Sequence, residues 1–317
     1  MRAGYGGAVV WQNFSRPTLN QVNMLDIKDT PPPPVLYKFM TINGERWTWF
    51  QNLIRLGQIY LSSPTDFNDP FDCLPRLEIP SNQDKRLKKG LFRAGARQGD
   101  SRKVRRKKVK TVRSLPNSVW RKTYRDFAYR RIRAVGVYCV SANNSHPLMW
   151  SHYAEKHTGL LIGFKADIGI FRLAQKIEYS DIRPHYSHLS TNSKEFYDVY
   201  HKKAKFWEYE EEYRIISLNT EIDPKSLMRG MEDDADLMRF IGRPAGHGPA
   251  TLSPSVIASI TFGCNMPPNE RTKVVDFVRA QGLNVEFFEA VLDEHKFALS
   301  IRPFATAREP ARNRRRQ

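Results

Sequence analysis

From Lys85 to Arg113 the chain holds 14 Lys or Arg and one acid, Asp100, a local charge of +13. Burying even one unpaired cation costs roughly several kcal/mol. This stretch therefore cannot be a core strand or a core helix, and the fold has to be built around it. The whole chain carries +18, so the remainder contributes only 5 (18 − 13). We read residues 81–133 as a basic insertion in a larger domain. "RKVRRKKVK" at its centre is low in complexity. In "WRKTYRDFAYRRIR", Trp120, Tyr124, Phe127 and Ile132 fall near helical spacing, which predicts an amphipathic helix with a basic outer face. The insertion is expected to be largely helical and partly disordered.

On either side the patterns are those of a core. "VLYKFM" reads as a first strand, after an extended lead-in over 1–33 that ends in "DTPPPPV". In "RWTWFQNLIRLGQIYLSSP", Trp49, Phe50, Leu53, Ile54 and Leu56 recur at helical spacing, Gly57 marks the stop, and "QIYLSS" follows as a strand. After the insertion come "AVGVYCVSA" and "GLLIGFKA" as strands, with "PLMWSHYAEKHTG" as a short helix between them. "KIEYSDIRP" reads as strand and turn, "SKEFYDVYHKKAKF" as a helix, and "WEYEEEYRIISL" as leading into a strand. Residues 219–252 read as a loop over the core. "SVIASITFG", "NERTKVVDFVRAQG" and "NVEFFEAVLD" read as strand, helix and strand. Single helices interleave with strands, and the long interruptions are unlike a simple doubly wound sheet. The fold class expected is α+β with a mixed sheet: one core domain over 34–304, interrupted by the insertion and followed by a basic, disordered tail over 305–317.

Lys and Arg outnumber Asp and Glu by 51 to 33, which points to a polyanionic partner, nucleic acid above all. Arg105, Arg106, Lys107, Lys108, Arg130 and Arg131 are the candidate contacts. Trp120, Tyr124 and Tyr129 lie among them as candidate stacking rings. Cys73, Cys139 and Cys264 stand far apart without a CxxC pair, which excludes a zinc ribbon and argues against a disulfide framework. No stretch approaches ~18 apolar residues, and the first residues lack a signal-peptide core. The expectation is a cytoplasmic protein with no membrane partner.

Taken in order, "LYKF", "NLIRLGQIYLSSPTDFNDPFDC", "VYCVSANNSHPLMWSHYAEKHTGLLIGF", "KIEYSDIRP", "WEYEEEYRII" and "ITFG" resemble the bacterial family catalogued as domain of unknown function 2971. The match spans most of 34–304 and leaves out the insertion and the tail. A second resemblance is to ADP-ribosyltransferases of the DNA-modifying toxin branch. It rests on a tyrosine-bearing first strand, "NL" on the next helix, a glycine and strand, and a later Glu-x-Glu strand. It implies a split sheet and NAD as a substrate. It also implies Glu212 as the catalytic carboxylate and Glu210 as the acceptor-side one.

The residues themselves allow that chemistry. Read as one strand, "WEYEEEYRII" puts Glu208, Glu210, Glu212 and Arg214 on one face, and Trp207, Tyr209, Glu211, Tyr213 and Ile215 on the other. A fixed carboxylate stabilises the cationic state of transfer at a sugar carbon. The plain alternative is an exposed charged strand face. On a helix, His152 and His157 are five apart and point ~140° away from each other, which excludes a helical zinc pair. Trp150, His152 and Tyr153 suit stacking on a base or nicotinamide ring, or a buried aromatic helix. With Tyr37 and Lys38 they are the candidate dinucleotide contacts, and Arg214 is a further substrate contact.

"LSSPTDFNDPFDC" offers Asp66, Asn68, Asp69 and Asp72. It lacks calcium-loop spacing. The prolines and the Asp/Asn caps favour a rigid turn, with Phe67 and Phe71 pinning it to the core. Asn68 and Asp69 are the candidates to face a ligand, and Asp66 and Asp72 to hold the corner's own backbone. No metal is expected. Three functions remain open: the NAD-dependent transferase that the resemblance implies, acting on nucleic acid or a nucleic-acid-bound target; a metal-dependent nuclease using Asp66, Asp69, Asp72, Glu210 and Glu212; and a nucleic-acid-binding module without chemistry.

Overall fold

The computed structural model describes residues 31–187, 189, 193–217, 234–242 and 246–305. The lead-in up to residue 30, the tail from 306, and 218–233 lie outside the described residues. The chain opens with β1 (Val35–Met40), α1 (Glu45–Leu56) and β2 (Gln58–Leu61). Gly57 ends α1 in the left-handed region at φ 62°, and its N–H returns to Leu53 O at 2.9 Å. A Cβ there would stand 1.8 Å from Leu252 O, so close approach also requires glycine. A corner over 62–75 leads into β3 (Arg76–Glu78) and three helices, α2 (Lys85–Arg97), α3 (Arg102–Arg113) and α4 (Asn117–Arg133).

The core then resumes with β4 (Gly136–Ser141), α5 (Pro147–Tyr153), β5 (Leu160–Lys165), β6 (Gln175–Lys176), β7 (Glu178–Ser180) and β8 (His185–Ser187). α6 (Ser193–His201), β9 (Lys202–Ala204) and β10 (Glu212–Ser217) follow. The last elements are α7 (Ala235–Gly242), β11 (Gly248–Thr251), β12 (Ile257–Phe262), α8 (Pro268–Ala280), β13 (Glu286–Leu292) and β14 (Leu299–Pro303).

The fold is α+β. Eight strands form one sheet in the order β14-β13-β12-β5-β1-β4-β10-β6. Every pairing in it is antiparallel except β12–β13, which α8 joins as a parallel crossover. The described strands of this sheet make one continuous ladder, where the resemblance to ADP-ribosyltransferases implied a split one. Residues 219–252, expected as a loop, include α7, whose Leu237 and Phe240 are buried, and β11, which pairs with β2.

The two sheet faces have different covers. Leu36, Ile162, Phe164, Ile215 and Ile260 pack beneath α1 (Phe50, Leu53, Ile54) and α8 (Val274, Val275, Val278). On the other face, Phe39 and Leu161 meet Met149 and Trp150 of α5. Val137 and Ile216 meet Val199 and Tyr200 of α6 and Ile132 of α4. The register places Tyr37 opposite Ser141, and Ser141 opposite Glu212, so these three share this second face. Of the sheet's functional candidates, Tyr37, Glu212 and Arg214 lie there, between the two apolar patches.

The insertion has its own apolar core of Leu87, Leu91, Val109, Val112, Trp120, Tyr124 and Phe127. Trp120 Nε1 donates to Pro80 O at 2.6 Å and ties the unit to the strand before it. Asp84 caps α2 and Ser101 caps α3. Apart from two short connections, 85–133 is helical. The cations stay outside because the valines, leucines and aromatics recur on one side of each helix.

Candidate carboxylate–cation site

β10 begins only at Glu212. Before it, Lys205–Glu210 form a 3₁₀ turn, and Glu211 is left-handed at φ 43°. The alternation expected from residue 207 therefore holds only from Glu212. Glu208 is exposed, and Glu211 turns away to accept from Asn143 Nδ2 at 2.9 Å. The 3₁₀ turn nevertheless swings Glu210 back over β9, so Glu210, Glu212 and Arg214 do converge.

They meet Lys203 of β9 and Asp72 of the corner. Arg214 is fully buried. Its Nε donates to Glu212 Oε1 at 2.6 Å, and its Nη2 to Glu212 Oε2 at 3.1 Å and Asp72 Oδ2 at 2.6 Å. Its Nη1 donates to Asp72 Oδ1 and to Tyr200 O, each at 2.9 Å. The Phe67 ring lies 5.3 Å from the guanidinium. Lys203 Nζ donates to Glu212 Oε2 at 3.0 Å and to Glu210 Oε2, with Asp72 Oδ2 at 3.8 Å. Three carboxylates thus face two cations, and all five groups are buried.

The two glutamates are pushed apart. Burial raises the Glu210 carboxyl above its usual range and Glu212 adds to this, while Lys203 and Tyr153 act against it. Burial would raise Glu212 as well, but Arg214 and Lys203 outweigh it and hold that carboxyl well below the usual range. Burial of Lys203 is likewise outweighed, by Glu212 and Glu210, so its ammonium loses its proton less readily than a free lysine. Beside the cluster, burial pushes the His201 imidazole down to about 3.

Glu210 Oε1 accepts from Tyr153 OH at 2.7 Å, and Tyr153 OH accepts in turn from exposed Asn68 Nδ2 at 3.4 Å. This is the edge of the cluster nearest the surface. Trp207 sits 5.1 Å from Lys203 Nζ and donates to Asp69 Oδ2 at 2.9 Å. Tyr209 OH bonds His152 Nδ1 at 3.2 Å, and the Tyr209 ring stacks on His146 at 5.0 Å. Phe206, at 67% exposure, extends this aromatic rim outward.

The expected site residues divide as follows. Glu210, Glu212, Arg214, Asn68 and Tyr153 come together. Tyr37 packs with Tyr153 and Tyr209 against the α5 cluster, and exposed His152 joins the rim. Lys38 is on the opposite sheet face from Tyr37, where it donates to Cys139 O at 2.9 Å and lies over the Tyr138 ring. It cannot share a ligand with Tyr37. Trp150 is fully buried against Phe39 with its Nε1 on Asn144 O, so its ring is not free to stack on a base. Asp69 is buried and held by Trp207 Nε1 and Phe71 N, so it orients a ring and does not face a ligand.

In the corner, Asp66 accepts from Ser63 N at 3.2 Å as a backbone cap. Asp72 does not hold the corner's backbone as expected; it grips Arg214. Phe67 pins the corner inward, whereas Phe71 is 56% exposed.

Among the basic candidates, Arg106, Lys107 and Arg130 are exposed. Arg105 lies over Phe92 at 5.5 Å, Lys108 pairs with Asp100 at 2.5 Å, and Arg131 lies over Phe127, so these three are engaged within the unit. Trp120 and Tyr124 are in its core, and Tyr129 is half-buried beneath Arg133.

Lys203, Asp72, Trp207 and Tyr209 are the site residues that sequence reasoning did not assign to these roles. Among the described residues no group of three His, Cys, Asp or Glu is arranged to hold a metal ion. Among them, too, no helix is long and apolar enough to cross a membrane. Comparison with family models, with curated proteins and with solved structures gave no match.

Proposed function

We propose that the chain is an NAD-dependent ADP-ribosyltransferase-like enzyme, acting in the cytoplasm on nucleic acid or on a nucleic-acid-bound target. This keeps the resemblance to domain of unknown function 2971 and to the toxin-branch transferases as its starting point. The observation that carries it is the pair Glu210 and Glu212, two adjacent carboxyls shifted in opposite directions beneath an aromatic rim. Such divergence is how one site supplies both a proton acceptor and a permanently ionised group. Glu210, at the Tyr153 edge, is the acting group. It stabilises positive charge at the sugar carbon as the bond to nicotinamide breaks, and takes the proton that the acceptor releases as its new bond to that carbon forms. Tyr153 and Asn68 must give way for substrate to reach it. Glu212 has no free edge, so it is a positioning residue that fixes Lys203 and Arg214. Trp207, Tyr209 and His152 are the rings available to a base or nicotinamide.

A reading without chemistry, a nucleic-acid-binding module, draws on one observation: Glu212, Arg214 and Asp72 are held by one another, by Lys203 and by Tyr200 O within the protein. Incubation of the purified protein with adenine-labelled NAD, DNA and RNA separates the two. We expect nicotinamide release and label transfer that persist in chelator and vanish in a Glu210→Gln protein whose circular dichroism shows it still folded. Equal background turnover in wild type and variant, with both nucleic acids present, overturns the transferase and leaves the binding module.

A further inference from the structure

The 20 Lys and Arg between 85 and 133, against Asp100 and Asp126, sum to +18, which is the formal charge of the whole chain. All other residues together are neutral. The net field therefore arises on the three-helix unit, and α3 concentrates it. Arg102, Arg106 and Lys110 repeat every four residues, and Lys103 and Lys107 run beside them; all five are exposed. At ~100° per residue they cover one continuous arc of roughly 140°, with buried Val112 across from it and buried Val109 at its edge beside Arg102. None of the five makes an ion pair with a described residue. Along the ridge the cations rise about 6 Å apart on a rigid helix roughly 18 Å long.

We propose that this face of α3 is a docking surface for the phosphate backbone of a duplex nucleic acid, read without regard to sequence. The inference rests on the nucleic-acid reading above and adds the surface, the strandedness and the mode of contact. A single strand is held largely by stacking on exposed rings. Here Trp120, Tyr124 and Phe127 are consumed by the unit's core. What remains outside is charge, and a duplex presents twice the axial charge density of one strand. An anionic bilayer fits less well, because insertion needs an apolar helix face and that of α3 is already buried. The large apolar side chains exposed on α2–α4 are Val104 and Val119.

The test is fluorescence anisotropy on full-length Glu210→Gln protein without NAD, so that failure of transfer and failure of docking are read separately. The probes are a labelled 24-base-pair DNA duplex, an RNA duplex of the same sequence, each single strand, polyglutamate, and vesicles with anionic lipid. Five phosphate contacts predict a log–log salt slope of about −4.5 for a duplex. Arg102→Gln/Arg106→Gln/Lys110→Gln should flatten it by roughly three and weaken binding about a hundredfold near 0.1 M salt. Arg102→Lys/Arg106→Lys, which keeps the charge, should bind nearly as wild type. The tighter of the two duplexes then identifies the natural polyanion. A single strand, polyglutamate or vesicle bound as tightly as the duplex overturns the proposal. So does a triple Gln variant that keeps its helix content and binds unchanged.

Discussion

Lys203→Met removes one of two cations that face three buried carboxylates. At an effective dielectric of about 20, an ammonium 3.0 Å from Glu212 and 3.8 Å from Asp72 gains roughly 4–6 kcal/mol from each. The contact with Glu210 adds more. Desolvation of the lysine offsets much of this sum, and breaking a buried pair costs about 3–5 kcal/mol net. We expect a loss in that range at pH 8, read by urea unfolding. The pH dependence follows from Glu210. Its folded pKa is already raised, so its share of stability is present below the unfolded value and is lost as pH rises through the folded one. Without Lys203 that pKa climbs further. The penalty must then shrink as pH falls towards 5.5, by about 1.4 kcal/mol for every further tenfold loss of acidity at Glu210. Adding Glu210→Gln should recover part of the loss, with a coupling of about 1–3 kcal/mol. A penalty below about 1 kcal/mol that stays flat from pH 5.5 to 8, with additive double substitution, would refute this account of the cluster.

Two further outcomes test its surroundings. His201 is buried and held neutral, with a pKa of about 3 against 6.5 when unfolded. Between those values the unfolded chain takes up a proton that the folded chain refuses, so stability falls as pH falls. His201→Phe, which can keep the stack on Tyr197, should lower that slope by up to about 1.4 kcal/mol per pH unit between pH 6 and 4, measured by unfolding at several pH values. Gly263→Ala would set a Cβ 2.1 Å from the His157 carbonyl oxygen, against a loop whose residues 155–157 are all left-handed. Backbone must move, and we expect about 1–3 kcal/mol of destabilisation by thermal denaturation.

The legible parts of the fold were those with a local period. The Glu212–Arg214 step was readable because β10 is a true strand there, and alternation is a property of two neighbours. Beyond Glu212 the reading failed at Glu211, whose positive φ no local pattern announces. α7 was missed because its two core residues, Leu237 and Phe240, stand among glycines and acids. Lys203 could not be told from Lys202. The first is buried among carboxylates, while the second makes pairs with Glu178 and Asp198, and a three-residue strand is too short to show a period. The Asp72–Arg214 pair spans 142 positions, a separation at which only tertiary structure informs. Trp150 was read as a possible stacking ring because a helix with aromatics looks alike whether its ring faces β1 or a ligand.

The cluster's composition narrows which of its groups can react. Fully ionised, Asp72, Glu210 and Glu212 against Lys203 and Arg214 leave one negative charge in a buried volume. Arg214 holds two of the carboxylates bidentately, and with Lys203 it keeps the Glu212 carboxyl well below the usual range. Glu210 has no such partner: one oxygen meets Lys203 and the other a tyrosine hydroxyl that can reverse its role. The carboxyl held above its usual range is therefore the one on the Tyr153 edge. This is also the edge reached through Asn68 and the rim of Trp207 and Tyr209. The cluster's remaining charges are compensated in place, and the chain's net positive charge sits on the helices of the insertion. On the proposed reading, a polyanion would be drawn to those helices, while a ligand at the carboxylates would be held by rings and hydrogen bonds. The basic helices and the carboxylate cluster are thus different parts of one chain, joined where Ser63 Oγ of the corner donates to Arg133 O at the end of α4.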